Sequence, residues 1–269
     1  MTFTSEESRF LKELNIFLNE IRSAERFLYA ELTILQVAEN KKKTLDALNS
    51  NGIFWKTILG ALQHATFITL GRIFDGKHGK YKLETLIAYV EKNPSIFSKE
   101  IFRQRWIRER GEDSLLPIYI ETVYDPRPTD YRALRRFVEG MKTDYENLYR
   151  LIRHQFGHKF LIEEKEINAH FNKVNIRKLE KFCVALDGIY HSLWNAFHNG
   201  RGPFIPLPRR RYSTKNFIAK PLKKDDAQQA NAQFVRDAKG TLKLLTDGFD
   251  LKLGRDRRFI GNLSGRKRI

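Results

Sequence analysis

Six consecutive residues, Arg153-His154-Gln155-Phe156-Gly157-His158, place an arginine and two imidazoles on less than two turns of helix. Imidazole titrates near neutrality, so it can move protons at a ribose 2′-hydroxyl or at a leaving 5′-oxygen. Arginine can hold the extra negative charge of a pentacoordinate phosphate. In outline this is a metal-free ribonuclease. Two other readings stay open: a solvated helix face, and a two-histidine metal site from the i, i+4 spacing of His154 and His158. The second lacks the acidic residue that H-E-x-x-H motifs carry between their histidines, and no metal or other cofactor is expected. Residues 72–78 repeat the arginine-to-histidine order with Arg72 and His78, but that stretch straddles a helix end and lacks a polar second residue.

The helix that must position these groups starts at a cap on Thr129 or Asp130. It continues through Leu134, Phe137, Val138, Met141, Tyr145, Leu148, Tyr149, Ile152 and Phe156 at intervals of three and four. With Ile152 at zero and about 100° per residue, the apolar stripe covers roughly −60° to +60°, whereas Arg153, Gly157, His154 and His158 fall near 100°, 140°, 200° and 240°. Arg150 and Asn147 join them as supporting residues. Glycine is costly inside a helix, so Gly157 marks either a helix about to end or the close approach of another backbone. If a second copy packs on this face across a two-fold axis, the arginines and histidines of both chains meet in one cationic cleft.

The remaining elements read as helices. Residues 4–7 have capping-box form, and Phe10, Leu14, Phe17, Leu18, Ile21, Leu28, Leu32 and Leu35 follow helical spacing out to Asn40. Residues 53–74 are apolar around much of the circumference, which predicts a central helix stopping at Asp75-Gly76. Short helices are expected over 83–90 and 98–110. Residues 111–128, interrupted by Pro117, Pro126 and Pro128, read as a loop in which 118–124 could form a short extended piece. A polar connection over 163–172 leads to a helix through Ile176, Leu179, Cys183, Leu186, Tyr190, Leu193 and Phe197, antiparallel to the motif helix. Cys183 lies on that apolar stripe and reads as a buried structural thiol, and His64 as a core or lining residue. His170, His191 and His198 have no evident partner groups in the sequence.

After Gly200 the character changes. Residues 201–208 read as a semi-rigid linker, followed by Arg209, Arg210 and Arg211; a further helix pattern covers 226–250, and the end of the chain is basic. The organisation expected is a helical domain over 1–200 and a basic, partly helical extension over 201–269.

Composition points to the partner. The 269 residues carry a net charge of +17, of which 18 Lys or Arg against 6 Asp, a net of +12, fall in 201–269. A polyanion is expected, nucleic acid first and an acidic membrane surface second, with Arg209–Arg211 among the contacts to RNA; the alternative is a solubilising tail. One cysteine excludes an intrachain disulfide framework, and no secretory signal or membrane span is visible, so a cytoplasmic protein is expected. P-loop, dinucleotide-binding and G-x-S-x-G signatures are absent from the sequence.

The hexamer 153–158 on the penultimate helix of an all-α core resembles the HEPN superfamily. Phe54-Trp55, then the run from Thr69 to Asp75 with Arg72, then Leu83-Glu-Thr-Leu, are similar to its AbiU2-like branch, over roughly residues 5–200. The resemblance implies an all-α HEPN-like bundle that dimerises through the motif helices. It further implies metal-independent RNA cleavage in phage defence or a toxin–antitoxin system, with a possible cognate antitoxin. Arg153, His154 and His158 match the family motif and would be catalytic. The two rivals are a non-catalytic nucleic-acid-binding dimer and a structural or effector-binding helical module.

Overall fold

A computed structural model describes residues 3–74, 83–112, 114–146, 176–202 and 204. Among them are eight α-helices, here α1 (Ser5–Asn40), α2 (Lys42–Ser50), α3 (Gly52–Phe74), α4 (Leu83–Lys92), α5 (Lys99–Arg110), α6 (Leu116–Thr122), α7 (Pro128–Tyr145) and α8 (Ile176–Asn199), with a 3-10 turn at Pro94–Phe97. No strand occurs among the described residues.

Helix α1 is the axis. Its capping box is closed as the sequence predicts: the Thr4 amide donates to the Glu7 carboxylate at 2.9 Å, and the Glu7 amide donates to the Thr4 hydroxyl at 3.2 Å. Phe10, Leu14, Phe17, Leu18, Ile21 and Leu28 are buried along one face. Arg72 donates to Glu20 at 2.8 Å and Gln63 donates to Glu31, so α3 runs antiparallel to α1. Helix α8 is antiparallel on another side, with Phe197 against Phe10 at 5.1 Å between ring centroids. Helices α4 and α7 are joined by bonds from Arg135 to Glu91 and from Lys142 to Glu84.

Three expectations need correction. Residues 118–122 are helical rather than extended, because Pro117 sits in the first turn of α6, where a missing amide costs nothing. Helix α7 is capped at Arg127, not at Thr129 or Asp130. Pro128 supplies its first turn, and Asp130 accepts from the Arg127 amide at 2.7 Å. Helix α3 is central only in its second half, where Phe67, Leu70, Ile73 and Phe74 are buried; Ile53 is 87% and Phe54 59% exposed. Beside that first half, α2 forms a small separate cluster of Leu48, Ile34 and Ala38 with Trp55, Leu59 and Leu62.

The stretch after α8 returns to the core. Gly200, at φ +56°, ends the helix in the left-handed region, and its carbonyl accepts from the Tyr124 amide at 2.7 Å. A Cβ on Gly200 would meet Val123 at 2.8 Å, so glycine is required there by space as well as by conformation. Phe204, inside the expected linker, is fully buried between Phe97 and Tyr131, at 5.1 Å from each ring.

Candidate functional site

Arg153, His154 and His158, the supporting Asn147 and Arg150, and the basic Arg209, Arg210 and Arg211 all lie outside the described residues. What the structure describes is the frame on either side of the motif segment. Helix α7 delivers the chain to it through Leu134, Val138, Met141 and Tyr145, all buried as the spacing predicts. Tyr145 stacks on Phe74 of α3 at 5.1 Å and 19°, and Phe74 also meets Phe182 of α8 at 5.2 Å. One aromatic residue of α3 therefore touches both the last turn before the motif segment and the second turn after it. Burying three such rings ties the end of α7 to α3 and α8.

Buried polar groups continue along α1 and α8. Glu25 and Asp187 are 3% and 4% exposed. Asp187 lies 3.3 Å from His191 one turn further along α8, a partner the sequence reading did not find although the i, i+4 spacing was visible. Cys183 is buried, and that burial, with Glu25 and Glu180 behind it, pushes its thiol well above the usual range; it is a packing residue and a poor nucleophile. Burial raises the Glu31 carboxyl, with the Gln63 hydrogen bond opposing, so this acid keeps its proton to higher pH than a free glutamate. Burial also lowers His64, which favours a neutral imidazole.

Near the start of α1, Glu7 is fully buried. Arg105, 4% exposed, donates to Glu7 at 2.9 Å, to the Ile96 carbonyl at 2.7 Å and to the Phe197 carbonyl, and its guanidinium lies 3.6 Å over the Phe197 ring. Arg108 donates to the same carboxylate at 2.7 Å. Burial would raise the Glu7 carboxyl, but the Thr4 amide and the two guanidiniums outweigh it and hold it below the usual range. Burial first and Arg105 second depress His198 to about 4. Sequence reading missed this cluster because Glu7 and Arg105 are 98 residues apart and each sits on a helix face for its own local reasons.

Among the described residues no group of three or more His, Cys, Asp or Glu could hold a metal ion. Nor is any helix among them long and apolar enough to cross a membrane. The class these elements define is an all-α bundle of HEPN type. The chain belongs to the AbiU2 family, whose model matches residues 7–228. The match includes the whole motif segment and continues past residue 200, through the arginine triplet. No curated protein and no solved structure matches the chain.

Proposed function

We propose that the protein is a metal-independent endoribonuclease of HEPN type, acting as a homodimer in phage defence or in a toxin–antitoxin system. The observation that carries this reading is the AbiU2 family match, which spans Arg153, His154 and His158. The contacts of Phe74 with Tyr145 and Phe182 support it to the extent that they join the helices on either side of the motif in sequence.

In this reading the ribose 2′-oxygen attacks the neighbouring phosphorus. The bond to the 5′-oxygen breaks, leaving a cyclic phosphate and a 5′-hydroxyl. His158 carries the proton from the attacking to the leaving oxygen, Arg153 binds and polarises the phosphate, and His154 orients the two, with Asn147 and Arg150 beside them. Arg209, Arg210 and Arg211 hold the RNA backbone, and a cognate antitoxin would act by covering this cationic surface.

The test is incubation of the purified protein with total RNA in EDTA beside His158→Ala. Cleavage by wild type alone, with cyclic-phosphate ends on the products, is the expected result. RNA binding without cleavage by either protein would make it a non-catalytic binder. Silence in both assays would leave a helical interaction module.

A further inference from the structure

One side of α3, from Phe54 to Ile68, presents an apolar seam to solvent. Phe54, Ile58, Ala61, Ala65 and Ile68 follow one another at steps of four, three, four and three, the spacing of a coiled-coil face. Phe54 is 59% and Ile68 48% exposed, Ala61 is exposed, and Ile58 and Ala65 are half-buried. Lys56 and Arg72 are the only Asp, Glu, Lys or Arg residues of α3, and neither is on the seam. A Cβ on Gly60, next to the seam, would meet nothing within 4 Å. Apolar area of this kind marks an interaction surface.

The same chain contains a matching stripe. Val235, Ala238, Leu242, Leu245 and Phe249 step by three, four, three and four, and so by four, three, four and three when read backwards. We propose that residues 235–249 dock in cis on the α3 seam as an antiparallel helix. In that direction the steps coincide along the whole seam, pairing Phe54 with Phe249, Ile58 with Leu245, Ala61 with Leu242, Ala65 with Ala238 and Ile68 with Val235. The large Leu242 faces the small Ala61, and two alanines face each other next to it, which allows close approach. A parallel arrangement sets three-residue steps against four-residue steps. So does a second copy of α3 laid full length and antiparallel on the first; kept in step, that copy overlaps four positions and leaves Ile68 uncovered.

The tether is long enough. Phe204 is fixed in the core, and the 30 residues between it and Val235 reach up to about 100 Å, against roughly 35 Å for the length of α3. A tethered segment also meets its site at a high effective concentration. Arg236 and Lys243 fall away from the seam, so the docked helix keeps positive charge on its outer side. The extension then becomes a fixed part of the basic surface rather than a free tail, a conclusion that stands whether or not the protein cleaves RNA.

The test uses the full-length chain, whose single native thiol is buried. Ile58→Cys with Leu245→Cys reports the antiparallel register, and Ile58→Cys with Ala238→Cys the parallel one. Under mild oxidation the first pair closes an intramolecular disulfide at least ten-fold faster than the second, and Phe54→Asp with Ile68→Asp added to the first pair abolishes the advantage. Equal rates for the two pairs, no disulfide in either, or a disulfide only between chains would overturn the proposal. Circular dichroism of each variant establishes that the bundle is folded, and the readout requires no RNA.

Discussion

The Tyr145 ring lies flat against Phe74, 5.1 Å away at 19°, and through Phe74 it is linked to Phe182. The last turn of α7 and the second turn of α8 thus meet the same ring of α3. Phe74→Ala should cost about 3–5 kcal/mol, as removal of a buried aromatic does, and Phe74→Leu less. Urea unfolding measures the loss. If that contact also sets the site, Phe74→Leu will reduce RNA cleavage by more than its small effect on stability accounts for at temperatures well below unfolding.

The Glu7–Arg105 pair predicts an acid limb in stability. Because the folded carboxyl lies below the ordinary value of 4.5, its contribution is complete above that pH and disappears as pH falls through the folded value. Wild type should lose urea resistance over that range faster than Glu7→Gln. At pH 7, Arg105→Ala should cost about 3–5 kcal/mol, because Glu7 is left charged and buried with Arg108 as its remaining cation and the Thr4 amide as its remaining backbone donor. A cost below 1 kcal/mol would show that Arg108 and the Thr4 amide satisfy the carboxylate without Arg105.

His198 titrates in the opposite sense from a paired histidine. Its folded value of about 4 lies below the ordinary 6.5, so the unfolded chain takes up a proton first as pH falls. Stability should decline from about pH 6.5 down to pH 4 and then show no further slope from this residue. Proton NMR of the imidazole checks the value directly. Arg105→Met should raise it, since one of the two causes is removed, and His198→Asn should flatten the stability profile over that interval.

Salt dependence tests the arginine triplet. If Arg209, Arg210 and Arg211 each neutralise one phosphate of single-stranded RNA, replacing all three with alanine should reduce the slope of log K against log salt by about 2. Fluorescence anisotropy with a labelled RNA at several salt concentrations reads this slope. An unchanged slope would remove the triplet from the binding surface.

Much of the bundle was legible from spacing alone. The limits of α1 follow from the Thr4 and Glu7 cap and from apolar residues at helical spacing, which are buried from Phe10 to Leu28, whereas Leu35 at the far end of the stripe is exposed. The α7 and α8 stripes and the burial of Cys183 are of the same kind. Where reading failed, the deciding term was local but ambiguous: a proline that breaks a helix in its middle serves equally well in its first turn, and Pro117 and Pro128 do the latter. For the motif hexamer, residue types and order pointed to a chemistry and a family, and the family match bears out the family.

Other features were decided by tertiary structure, for a common reason: they are contacts between residues with no sequence relation. Nothing in the sequence 98 positions away marks Glu7 as the partner of Arg105, and His198 has a depressed titration because the fold buries it and, second, brings it near that guanidinium. The apolar run of α3 likewise could not say which of its residues would be covered, since a helix hydrophobic all round has no preferred face of its own. Packing within the bundle buried Phe67, Leu70 and Phe74, the last against Tyr145 and Phe182, and left Phe54 and Ile68 in solvent. Periodicity dictates what each helix would bury; only the neighbours it meets determine what is buried.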